Sequence, residues 1–92
     1  MKLGAKIKIK RSKRVVFKEI NGVVYILDPR DSTVYTLNEI ASFIWQLLKT
    51  SRSTKELISL IIDNFDVEKE RAKADLENFI SQCSEDRLIV EI

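Results

Sequence analysis

Val15-Val16-Phe17-Lys18-Glu19-Ile20-Asn21-Gly22-Val23-Val24-Tyr25-Ile26-Leu27 is the stretch on which the fold turns. Two runs of β-branched and aromatic residues flank Asn21-Gly22. A type I′ turn needs positive φ at both central residues, which Asn-Gly tolerates best, so the stretch predicts a β-hairpin. Asp28-Pro29-Arg30-Asp31-Ser32 follows as turn chemistry, with the proline pre-setting its own φ. Residues 33–37 (Thr-Val-Tyr-Thr-Leu) then read as a third short strand. Short connections join spatial neighbours, so the expected arrangement is a three-stranded antiparallel meander.

Downstream of Leu37 the hydrophobic period changes from 2 to 3.6. Asn38 is placed to cap a helix whose apolar stripe is Ile40, Phe43, Ile44, Leu47 and Leu48. Ser53-Thr54-Lys55-Glu56 matches a capping box opening a second helix that runs to about Asn64 and buries Leu57, Leu60 and Ile61. Asp66 is the expected cap of a third helix carrying Ala72, Leu76, Phe79, Ile80 and Cys83. Residues 87–92 form a β-prone tail. Upstream, Lys6-Ile7-Lys8-Ile9-Lys10 alternates charge and isoleucine, which fits a strand with one solvated face or a solvated arm. Residues 11–14 read as a polar connection. The predicted class is α+β: a winged helix-turn-helix-like domain in which a three-stranded antiparallel sheet is followed by a three-helix bundle.

Ninety-two residues, 45% hydrophobic and 33% charged, suit one globular domain. Apolar stretches such as 23–27 and 57–62 fall far short of the roughly 20 residues of a membrane helix. The basic N-terminus is not followed by an apolar signal-peptide core, so the cytosol is the default expectation and no membrane partner is expected. Cys83 is the only cysteine and there is no histidine. The commonest general base and metal ligand are therefore missing, and neither catalysis, a metal site nor a cofactor is expected. The net charge of +2 hides a split. Seven basic residues and no acid lie in residues 1–14, leaving nine basic against fourteen acidic residues beyond, a net of −5. This divides the chain into a basic arm, residues 1–14, and a mildly acidic domain, residues 15–92.

A three-stranded meander has two edges with unpaired backbone donors and acceptors. The third strand contains no proline, lysine or arginine, the residues that usually blunt an edge. A guest peptide can join it by strand addition, unless the C-terminal tail or a second copy covers it. The third helix presents a mixed face of Arg71, Ala74, Asp75, Asn78 and Gln82 at helical spacing, either solvated or the second wall of a cleft.

Several motifs, in order, resemble one family. They are Asp28-x-Arg30, then Val34-Tyr35-Thr36-Leu37-Asn38-Glu39, Ile44-Trp45, Ser53-Thr54-x-Glu56-Leu57-Ile58, Phe65-Asp66-Val67, Ala74-Asp75-Leu76 and Leu88-Ile89. Together they resemble the pyrroloquinoline quinone biosynthesis protein D (PqqD) family, whose members also serve as leader-recognition elements for ribosomally made, post-translationally modified peptides. The likeness spans roughly residues 15–89. It implies a stand-alone adaptor that binds a precursor's leader between the third strand and the third helix. Thr33, Val34, Tyr35 and Thr36 would then offer backbone pairing and flanking pockets. Arg71, Ala74, Asp75, Asn78 and Gln82 would line the helical wall, with Phe79 at its base. The turn motif is closer to lasso-peptide pathway members, in which the adaptor serves a leader peptidase before a cyclase closes the ring. A chaperone of quinone-cofactor synthesis is the alternative. Many members have glycine where Ser32, Ala41 and Arg87 stand here. Trp45 is expected in the core, and Cys83 as a small, unreactive buried hydrophobe.

The competing reading is a winged-helix DNA-binding protein, for which the arm would supply salt-dependent phosphate affinity. Against it, Lys55 stands among Glu56 and Asp63 in the second helix and the third alternates both signs. Neither offers a cluster suited to base readout.

Overall fold

The computed structural model describes residues 7–13, 15–28 and 31–92. In chain order it comprises β1 (Lys8–Arg11), β2 (Val16–Ile20), β3 (Val23–Asp28), β4 (Thr33–Thr36), α1 (Glu39–Leu47), β5 (Arg52–Ser53), α2 (Thr54–Asn64), α3 (Lys69–Glu85) and β6 (Ile89–Glu91). Asn21 and Gly22 adopt φ of 53° and 81°, as a type I′ turn requires, and fold β2 back on β3. β3 in turn pairs antiparallel with β4, so the main sheet has the order β2-β3-β4. The expected meander is present. Its proline turn, at Pro29-Arg30, lies outside the described residues.

Helix α1 starts as its cap predicts: the Asn38 side chain accepts from the Ala41 N–H at 2.9 Å. At α2 only half of the capping box forms. Ser53 accepts from the Glu56 N–H at 3.1 Å, but the Glu56 carboxylate turns to Arg52 at 2.7 Å. α3 begins later than expected. Its cap is Glu68, without a side-chain bond, because a tight turn with Val67 N–H on Phe65 O (2.9 Å) occupies the position where Asp66 would cap. Phe65 and Val67 are anchored on the core, and Phe65 meets Phe43 edge to face at 5.2 Å. At the other end, Leu88 N–H returns to Cys83 O and Arg87 N–H to Ser84 O, a Schellman motif with Arg87 at φ 58°. Ser32 has φ 60°. These are two of the three positions at which the resemblance implies glycine, and a non-glycine side chain at positive φ costs about 1 kcal/mol.

The principal difference from the sequence reading is a second sheet, order β5-β1-β6. Residues 8–11, which the sequence division assigns to the basic arm, form its central strand. Ile9 is fully buried and pairs across to both Arg52 and Glu91. The C-terminal tail is thereby used on β1. One core unites both sheets and all three helices: Val24 and Ile26 from β3, Ile44 and Trp45 from α1, Leu57 and Ile61 from α2, and Leu76, Phe79 and Ile80 from α3. Each large apolar side chain withdrawn from water contributes about 1.5–3 kcal/mol.

Candidate functional site

Alternation along β4 fixes which of its backbone groups are free. Leu37 N–H donates to Val24 O at 3.0 Å, and Leu37 lies opposite Val24 in the register that pairs Thr36 with Tyr25. In an antiparallel ladder every second residue bonds its partner strand. Tyr35 therefore bonds toward β3, Thr33 N–H at the turn donates to Asp31 Oδ1 at 3.0 Å, and Val34 and Thr36 turn their N–H and C=O outward. Among the described residues no strand covers this side, because β6 pairs with β1 in the other sheet.

The end of β4 is locked to α1 by Ser42, which is buried. Its Oγ accepts from Val24 N–H at 2.9 Å and donates to Leu37 O at 3.1 Å. The hydroxyl thus replaces a ladder bond and fixes the start of α1 beside the open edge. Serine inside an amphipathic helix gives no sequence signal for such a role.

Beside this edge lies a cavity of about 300 Å³. Arg71, Asp75, Asn78 and Gln82 from the mixed stripe of α3 line one side, together with Phe79. Leu37 to Ala41, at the entry and first turn of α1, line the other; the sequence reading did not include them. Ala74 is exposed on α3 and does not line the cavity. Thr33, Val34, Tyr35 and Thr36 are not in its wall either; they form the adjoining strand edge. Phe79 is 4% exposed and serves the core as well as the cavity. Arg71 Nε donates to both Asp75 oxygens at 3.2 and 3.0 Å, an exposed i,i+4 pair that stabilises the helix by only a few tenths of a kcal/mol. Tyr35 shares the inner face with Ile26, and its phenol is pushed up from its usual pKa by desolvation and then by Asp86, Asp31 and Asp28. On the outer face Val16, Leu27 and Val34 form an exposed apolar row in cross-strand register.

Trp45 is fully buried and meets Phe17 edge to face at 5.6 Å. Cys83 is buried in the core, with its thiol pushed up to about 12 by burial and by Asp86, so it stays protonated at neutral pH. Among the described residues no helix is long and apolar enough to cross a membrane. A further shallow groove of about 500 Å³ between α2 and α3 has Ile58 and Ile62 in its wall and Lys55, Lys69 and Lys73 around them.

The described residues thus form a small α+β domain with an unpaired strand edge on β4 and a cavity between α1 and α3. The chain is a member of the family described as coenzyme PQQ synthesis protein D (PqqD), whose model matches residues 24–89. Two solved structures share its fold. "TbiB1 in Complex with the TbiA(beta) Leader Peptide" superposes with a TM-score of 0.79 at 26% identity, covering 87% of this chain and 93% of that one. "Lasso peptide synthetase B1 complexed with the leader peptide" gives a TM-score of 0.75 at 17% identity, covering 89% and 96%. No curated protein sequence matches.

Proposed function

We propose that this protein is a non-catalytic adaptor that binds the leader segment of a ribosomally made precursor peptide and presents it to a modifying enzyme. The observation that carries this reading is the open β4 edge, with the outward N–H and C=O groups of Val34 and Thr36, set beside the cavity between α1 and α3. An extended guest satisfies those groups as a fourth strand and places alternate side chains toward α3. Arg71, Asp75 and Glu39 are the charged groups it meets there, with Asn78 and Gln82 as neutral hydrogen-bonding partners. The similarity to two proteins whose structures hold a leader peptide supports the same occupant. Of the pathways, the lasso type is favoured by the Asp28-x-Arg30 turn and by the second structure's name; the enzyme served would then be a leader peptidase acting before a cyclase.

The test is a titration of labelled peptides, tiled from the short open reading frames beside the gene, followed by fluorescence anisotropy. One N-terminal segment should bind saturably to the wild type and lose affinity in Val34→Pro. Absence of binding by every segment, or equal binding by the folded variant, overturns the reading.

A further inference from the structure

On the β2 side of the molecule a second cavity, about 280 Å³, is lined by Lys10, Arg11, Lys13 and Lys49 together with Phe17 and Trp45, and among the described residues by no acidic one. Its charge is held in place. The Arg11 guanidinium lies 4.7 Å from the Phe17 ring centroid and 5.7 Å from that of Trp45, within cation–π range of both. Among the described residues no carboxylate pairs with Arg11. Burial lowers its pKa, yet a guanidinium remains protonated. The Trp45 indole N–H is, among the described residues, the one buried side-chain polar atom without a hydrogen-bond partner. Such groups are rare in folded proteins.

We infer that this basic cavity is a binding site for carboxylates, presented by an acidic segment of a second protein. An arginine fixed in orientation by two rings suits a planar carboxylate, which accepts two parallel N–H bonds from the guanidinium fork. A nucleic acid is a poorer fit. Its backbone needs basic charge spread along a track, whereas the chain beyond residue 14 carries a net of −5. The precursor's leader is a poorer fit as well, because β3 separates the β2 edge from β4 at roughly 4.8 Å per strand and one added strand occupies one edge only. The site stands on Arg11, Trp45 and the surrounding lysines, and does not depend on leader binding at β4.

Trp45 is the sole tryptophan, so the intact protein reports on the site through its fluorescence. A short, end-blocked polyglutamate peptide should change that fluorescence saturably at low salt, and polyglutamine should not. Affinity should fall as salt rises. Arg11→Gln with Lys13→Gln should weaken binding by roughly tenfold or more, the scale of a charge-assisted hydrogen bond. Lys13→Gln with Lys49→Gln, which leaves the stacked arginine and the core intact, should weaken it severalfold. Leader affinity should be unchanged in both double variants, which separates a failure here from a failure at β4. No saturable change, equal binding of polyglutamine, wild-type affinity in the folded variants, or binding of mixed-sequence duplex DNA in place of polyglutamate would overturn the inference.

Discussion

The two edges of the main sheet begin from the same backbone chemistry and end up differently protected. On β2 the hairpin register bonds Val16, Lys18 and Ile20 to β3, so Phe17 and Glu19 turn their backbone groups outward. That edge carries Lys18 and Glu19, and Arg11 sits over Phe17. On β4 the outward residues are Val34 and Thr36, no charged side chain stands in the strand, and α3 supplies a wall beside it. Charge on an edge strand is the usual way of discouraging a guest strand, and its absence leaves a template. On the proposed reading an open edge alone does not make a peptide site, and the uncharged side chains of β4 distinguish it from β2.

Matched prolines on the two edges test this most severely. Val34→Pro deletes an outward donor and leaves the β3–β4 ladder intact, and should weaken leader binding roughly a hundredfold, near 3 kcal/mol. Glu19→Pro deletes the equivalent outward donor on β2 and should leave leader affinity at the wild-type value. Both are read by anisotropy titration on variants whose folding has been checked by circular dichroism. Equal losses at both edges would remove the distinction. Ser42→Ala comes next. It strands Val24 N–H and Leu37 C=O in a buried setting and should cost about 2 kcal/mol by urea denaturation, with leader affinity falling because the end of β4 is no longer tied to α1. Retained stability would mean that the ladder re-forms without the hydroxyl.

Smaller effects sharpen the same contrast. Arg87→Gly relieves a positive φ in the turn that leads into β6, and should stabilise the fold by about 0.5–1 kcal/mol without affecting leader binding. A changed affinity would show that the tail's course influences the β4 edge. Arg71→Gln combined with Asp75→Asn should alter stability by only a few tenths of a kcal/mol, so any larger change in leader affinity reports on recognition rather than folding.

Local chemistry made much of this architecture legible. Asn21-Gly22 announces a turn through its tolerance of positive φ, Asn38 and Ser53 announce caps through their side chains, and the structure uses all three. The apolar stripe of α3 also predicted which of its residues face inward, and the complementary stripe located Arg71, Asp75, Asn78 and Gln82 at one cavity. The second sheet was hidden because its pairings join Ile9 to Arg52 and Glu91. Alternation in residues 6–10 signals a strand but cannot name a partner so distant in sequence. The α1 side of the cavity was missed for a related reason: the residues from Leu37 to Ala41 read as a helix start, and only packing against α3 gives them a second role. Ser42 and Trp45 had no local signal for the hydroxyl bridge or the unpartnered indole.

Amide hydrogen exchange, resolved by residue with and without the leader segment, tests strand addition most directly. Strand addition at β4 should add protection at Val34 and Thr36 and leave Phe17 and Glu19 unchanged. Leader binding that leaves Val34 and Thr36 exchanging freely, or that protects the β2 amides in their place, would contradict it.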